Sequence, residues 1–144
     1  MTVAHILKSK GSSDVVTIAS DKSVSDAAVI LSEKRIGSLV VSDDGKQALG
    51  ILSERDIVRE IGRRGPDCLS DGVTDMMTKD LVTCGSSEQA DAVLAKMTEG
   101  RFRHMPVLED GRMIGLVTLG DVVKYRLSEV KAENEALEGM IMGH

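Results

Sequence analysis

The sequence predicts an α/β (α+β) fold made of two β-α-β-β-α repeats packed about a pseudo-twofold axis. Three observations predict it. The chain resembles itself at a nearly constant offset. Each copy holds a stretch of helical apolar spacing flanked by short apolar runs of strand length. A breaker cluster, Gly65-Pro66-Asp67, divides the copies.

The elements follow in order. Val3-Ala4-His5-Ile6-Leu7 matches Val73-Thr74-Asp75-Met76-Met77, a short helical lead-in to each copy. Val16-Thr17-Ile18 aligns with Val82-Thr83-Cys84 at an offset of 66, giving the first strand. Val24, Ala27, Ala28 and Leu31 recur as Ala90, Val93, Leu94 and Met97, the i, i+3, i+4, i+7 stripe of an amphipathic helix. Leu39-Val40-Val41 recurs as Met105-Pro106-Val107, a buried strand. Asp43-Asp44-Gly45 and Glu109-Asp110-Gly111 fit hairpin turns, with one extra residue in the first. Past that turn the offset is 65, and Gly50 through Val58 matches Gly115 through Val123, a returning strand and a second helix. The expected organisation is residues 1–64 as the first copy with its lead-in, 65–72 as connection, 73–127 as the second copy and 128–144 as a helical tail. Leu127, Val130, Asn134, Leu137 and Ile141 form a short heptad-like seam in that tail, which fits either a helix lying on its own module or a subunit contact. A single copy of about 60 residues buries too little surface to stand alone, so the copies are expected to pack together and leave two clefts between them.

Composition narrows the function. Charged residues are 28% of the chain and hydrophobic residues 42%, as in ordinary globular proteins. With one Phe, one Tyr and no Trp, the chain lacks platforms for stacking bases, and its net charge of −5 argues against binding nucleic acid. Two distant cysteines, Cys68 and Cys84, make neither a disulfide framework nor a zinc site; Cys68 is expected to be exposed in the connection. No stretch is apolar enough for a membrane span and no signal-peptide pattern is present, so a cytoplasmic location is expected. No catalytic triad, metal or P-loop pattern appears, and no enzyme activity is expected.

The last strand of each copy ends in one motif: Gly50-Ile51-Leu52-Ser53-Glu54-Arg55-Asp56 and Gly115-Leu116-Val117-Thr118-Leu119-Gly120-Asp121. A hydroxyl three residues before an acid is a helix N-capping pattern. The same arrangement at a helix start, with its free N–H groups, also suits a ribose and a phosphate. Both readings stand on the residues alone.

On the repeat, the paired strands and the two motifs, the chain from about Val3 to Leu127 resembles a tandem pair of cystathionine β-synthase (CBS) domains, a Bateman module. The resemblance implies a stand-alone regulatory module that binds an adenosine ligand (AMP, ADP, ATP, S-adenosylmethionine or NAD) and senses energy or metabolites for an unidentified partner protein. It also implies a homodimer with aliphatic helix faces near Ala27-Ala28 and Ile57-Val58 at the contact. The competing readings are a structural dimerisation module with vestigial clefts and the regulatory subunit of a separate enzyme. By resemblance, one cleft takes Thr17, Ile36, Gly37 and Ser38 for the base and Thr118 with Asp121 for ribose. The other takes Thr83, Phe102, Arg103 and His104 with Ser53 and Asp56, flanked by Met105, Pro106 and Arg55. Arg103 and His104 supply charge for phosphate; Gly37 and Ser38 do not, and Gly120 stands where the first copy has Arg55. The clefts are therefore expected to be unequal.

Overall fold

The computed structural model describes residues 2–10 and 15–141. Helix α1 (Val3–Ser9) precedes β1 (Thr17–Ile18), α2 (Val24–Lys34), β2 (Ser38–Val41), β3 (Gly50–Ser53) and α3 (Glu54–Arg64). A 3-10 turn (Pro66–Ser70) leads to α4 (Val73–Met76), β4 (Cys84–Gly85), α5 (Ala90–Gly100), β5 (His104–Glu109), β6 (Arg112–Thr118) and α6 (Leu119–Ile141). The two sheets have the same order, β1-β2-β3 and β4-β5-β6, with a parallel first pair and an antiparallel second pair.

Each sheet separates two apolar layers, because successive strand residues point to opposite faces. In the first copy Leu39, Val41 and Leu52 face the helix side, where they meet Val24, Ala27 and Leu31 of α2 and Ile57 of α3. Val40 and Ile51 face the other way and meet Met113, Leu108 and Leu116 of the second copy. The second copy repeats the plan: Met105, Val107 and Val117 pack on Ala90, Val93 and Met97 of α5 and Val122 of α6. Helices α2 and α5 both end on an arginine in the left-handed region, Arg35 (φ 54°) and Arg101 (φ 55°), at equivalent positions. A non-glycine residue there costs about 1 kcal/mol. The reversal lets Ile36 and Phe102 hydrogen-bond back to Leu31 and Met97 and aims the chain into β2 and β5.

The lead-in helices are exchanged between copies. Numbering puts α1 with the first copy, but its buried Val3 and Ile6 belong to the second copy's core. Val73 and Met76 of α4 belong to the first copy's core. Backbone bridges Thr2↔Gln89 and Ser23↔Gly72 fix both crossings. In space, each lead-in thus packs on the copy that does not follow it in the sequence. The crossing also gives the motif glycines a role. A Cβ on Gly50 would fall 2.9 Å from the Thr78 carbonyl oxygen, and one on Gly115 would fall 2.8 Å from the Leu7 side chain. At Gly50 a fixed backbone oxygen leaves room only for a hydrogen, whereas at Gly115 a larger residue would require the Leu7 side chain to shift.

Three further expectations change. The β5–β6 turn is the expected tight one, with Asp110 (φ 53°) and Gly111 (φ 77°) in the left-handed region, but residues 42–49 form a wider loop. Asp44 organises it by accepting from the Lys46 and Gln47 N–H groups at 2.8 Å, and the Lys46 carbonyl accepts from Met113 N–H across the copies at 2.7 Å. Cys68, expected at the surface, is buried under the 3-10 turn. The tail and the second copy's last helix are one helix of 23 residues, with Leu127, Val130 and Leu137 exposed; the Ile141 side chain lies outside the described residues, as do residues 142–144.

Candidate functional site

Both motifs begin as capping boxes. The Ser53 hydroxyl accepts from Asp56 N–H at 3.2 Å, and Asp56 Oδ2 accepts from the Ser53 N–H and hydroxyl, each at 2.9 Å. Thr118 and Asp121 do the same at 3.1 and 3.0 Å. The capping reading is therefore realised in both copies. It does not use up the acids in the same way. Asp56 Oδ1 accepts from Arg59 at 2.9 Å within the same helix, whereas Asp121 Oδ2 pairs at 2.8 Å with Lys10, which follows the far-off α1.

Strand register sets the rest. Ser38 lies opposite Ser53 and His104 opposite Thr118, so each helix start sits beside the residue that opens the neighbouring strand. The first helical N–H groups are tied there too, Glu54 to the Gly37 carbonyl at 2.9 Å and Leu119 to the Arg103 carbonyl at 2.8 Å.

Between the copies lies a cavity of about 220 Å³. Ile36, Gly37 and Ser38 of the first copy form one side; His104, Leu116 and Thr118 of the second form the other. Leu7, Lys10, Val15 and Val16 complete it. A second cavity, about 420 Å³, opens between the starts of α3 and α6. Ser53, Glu54, Arg55, Arg103, His104 and Gly120 line it, and Gly37 and Thr118 border both cavities.

The residues named from the sequence thus divide. Ile36, Gly37, Ser38 and Thr118 share the smaller cavity, and Asp121 joins it through Lys10. Ser53, Arg55, Arg103 and His104 share the larger, with Asp56 capping the helix behind them. Thr17, Thr83, Phe102, Met105 and Pro106 line neither. Thr17 pairs with Val40 in the sheet, Phe102 packs on the second core and against Gly100, Met105 is wholly buried in that core, and Pro106 is buried in its strand. Thr83 is half-buried just before β4. His104 borders both cavities rather than one cleft.

The expectation that the Gly37/Ser38 cleft lacks charge is corrected by Lys10. The signal was present: Val3, Ile6, Leu7 and Lys10 stand at i, i+3, i+4, i+7, so the stripe that buries α1 ends on a cation.

Electrostatics follow burial. For Asp121, burial pushes the carboxyl up, but the Lys10 ammonium and the Thr118 N–H and hydroxyl outweigh it and hold the group below its ordinary value. Burial holds the His104 imidazole below its ordinary value, against the pull of Asp56, Asp121 and Glu54. Cys84 is pushed up to about 11 by burial, with Glu88 adding, so it carries no nucleophilic thiolate. Among the described residues no group of three His, Cys, Asp or Glu side chains is placed to hold a metal ion. No helix among them is long and apolar enough to cross a membrane.

A cavity walled by two copies of one unit, each contributing a capped helix start, is matched by the family comparison. The CBS domain model matches residues 3–63 and again residues 73–128. The chain belongs to the CBS-domain family. It is 35% identical over 149 aligned positions to the CBS domain-containing protein CBSX3, mitochondrial, of Arabidopsis thaliana, covering 99% of this chain and 72% of that protein. The crystal structure of the CBS-domain protein ATU1752 from Agrobacterium tumefaciens superposes with a TM-score of 0.82 at 41% identity, covering 88% of this chain and 99% of that one. The CBS domain pair of protein MJ0100, solved with 5′-methylthioadenosine and S-adenosyl-L-methionine, gives 0.77 at 26% identity over 90% of this CBS pair and 98% of its own.

Proposed function

We propose that this CBS pair is a regulatory module that binds an adenosine nucleotide between its repeats and reports energy or metabolite state to a partner protein. The observation that carries the reading is the cavity walled by Ile36, Gly37 and Ser38 on one side and Thr118 on the other, with Asp121 at its edge. Val15, Val16, Leu7 and Leu116 offer apolar walls to a base. The Asp121 carboxylate suits the hydroxyls of ribose, because an ionised carboxylate accepts strong hydrogen bonds. Cations for a phosphate stand at both ends: Lys10 beside Asp121 in this cavity, and Arg55 and Arg103 beside two helix starts in the larger one. The likeness to MJ0100, whose structure holds two adenosine-containing ligands, supports the same class of ligand here.

The module works without a catalytic group of its own. Binding draws the two repeats together, since each contributes one wall. A homodimer fits the exposed Val58 of α3 and Leu127 of α6, with Ile61 and Val123 partly exposed beside them; Ala27 and Ile57, expected at the contact, are instead buried in the first copy's own core. Two buried, unpaired cysteines suit a reducing compartment such as the cytoplasm. A second reading, a structural module with vestigial clefts, draws on one observation: Asp56 and Asp121 already have internal cations, Arg59 and Lys10.

Small molecules released by denaturing the purified protein separate the two. Mass spectrometry is expected to find an adenine-containing compound in amounts comparable to the protein. Release of no such compound, together with no uptake from a nucleotide mixture, favours the structural module.

A further inference from the structure

We propose that Lys10 reads the charge of the ligand in the Ile36–Gly37–Ser38 cleft, by exchanging Asp121 for the ligand's anionic group. The proposal rests on the adenosine-binding reading of that cleft and specifies its ligand class: an adenosine bearing phosphate on C5′.

Lys10 lines the cavity, and its ammonium donates to two fixed acceptors, the Asp121 carboxylate at 2.8 Å and the Leu116 carbonyl at 2.9 Å. The pair is neither deep nor free: the side chains are 31% and 23% exposed. A contact partly open to water is weak enough to exchange. Lysine suits an exchange, as a compact charge on a flexible four-carbon stem that redirects without losing its anchor. Here the anchor is firm. Lys10 directly follows α1, which Val3 and Ile6 hold in the second copy's core, and its own N–H donates to the Ile6 carbonyl at 3.2 Å.

The acid and the cation want the same partner group from a ligand, in opposite senses. A ribose diol that donates to both Asp121 oxygens takes up Oδ1 and displaces, at Oδ2, the hydrogen bond now given by Lys10. A neutral nucleoside offers the freed ammonium no anion in return, so it binds at the cost of a partly buried cation left on the Leu116 carbonyl without a counter-charge. A 5′-phosphate, fixed to the same ribose, supplies the new anion. The cleft then rewards diol and phosphate together and discriminates against either alone. This cation also differs from the arginines of the larger cavity: Arg55 and Arg103 are exposed and lie at the other mouth, whereas Lys10 stands at the Asp121 end.

Titration calorimetry with AMP and with adenosine tests this on the wild type and on Lys10→Met, Lys10→Arg and Lys8→Met. Lys8 is an exposed residue of the same helix, so Lys8→Met removes equal charge outside the cleft. Lys10→Met is expected to weaken AMP about tenfold, in line with loss of one charged hydrogen bond, and to leave adenosine unchanged or tighter. Lys10→Arg and Lys8→Met are expected to keep the wild-type preference for AMP. Retention of that preference in Lys10→Met overturns the role of Lys10 while the adenosine reading stands. A wild type that binds neither compound overturns both.

Discussion

Ile6→Ala is expected to destabilise the protein by about 2–5 kcal/mol, the range for emptying a buried isoleucine site. Ile6 is 1% exposed and packs among Val93, Met105, Val117 and other side chains of the second copy. At about 2–4 °C per kcal/mol for a chain approaching 150 residues, the melting temperature should drop by roughly 4–20 °C. Lys8→Ala on the exposed face of the same helix should stay within about 0.5 kcal/mol. The location of the damage matters as much as its size. Because α1 closes the second core, hydrogen exchange should speed first at β5 and β6, before β2 and β3. Preferential loosening of β2 and β3, or a loss under about 0.5 kcal/mol, would mean that α1 does not close that core.

Asp121→Ala is expected to lower the affinity for AMP by about tenfold to a hundredfold, the range for losing hydrogen bonds to a charged group. Asp56→Ala should lose less. Both substitutions also remove a helix cap, at about 1 kcal/mol of stability each, so titrations belong well below the melting transition. The order reverses what charge spacing suggests, where Arg103 and His104 favour the Asp56 side. The structure changes the argument in two ways. Asp56 has both carboxylate oxygens engaged within its own helix start, by Ser53 and Arg59, and a ligand must compete with both. Asp121 takes Thr118 and Lys10 on one oxygen, Oδ2, and both of those residues line the smaller cavity. Calorimetric titration of the two variants decides; an equal or larger loss for Asp56→Ala rejects this order.

Much of the fold could be read from residue order, for a physical reason. The stripes Val24–Ala27–Leu31 and Ala90–Val93–Met97 each match one helix face to one sheet face, and both helices form there. The turn at Asp110-Gly111 was equally legible, since two left-handed residues suit a two-residue hairpin. Its counterpart at Asp43-Asp44-Gly45 was not, because that loop is held both by Asp44, which accepts from Lys46 and Gln47, and by the bond from Met113 of the other copy to the Lys46 carbonyl. The exchanged lead-ins were hidden for a similar reason. Periodicity says that Val3 and Ile6 share an apolar face; it does not say which of two nearly identical cores accepts it. That ambiguity also hid Lys10. At the motifs, Ser53/Asp56 and Thr118/Asp121 were legible as pairs, and so were their caps. Which oxygens remain for a ligand depends on Arg59 and Lys10, and only the packing of side chains reveals that.

An adenosine nucleotide that bridges the repeats must stabilise the fold, which a melting series measures. A ligand that binds only the folded chain stabilises it by RT ln(1 + [L]/Kd), about 2.7 kcal/mol at a hundredfold excess over Kd. For a chain of this size that raises the transition by roughly several degrees. Protein first stripped of small molecules is melted at fixed salt with equal concentrations of AMP, adenosine and GMP. The expected order is AMP above adenosine, because only AMP gives Lys10, Arg55 or Arg103 a phosphate, with GMP below AMP if the cavity wall selects the adenine edge. A transition that no adenosine compound moves would contradict the account and leave the paired repeats as a structural module.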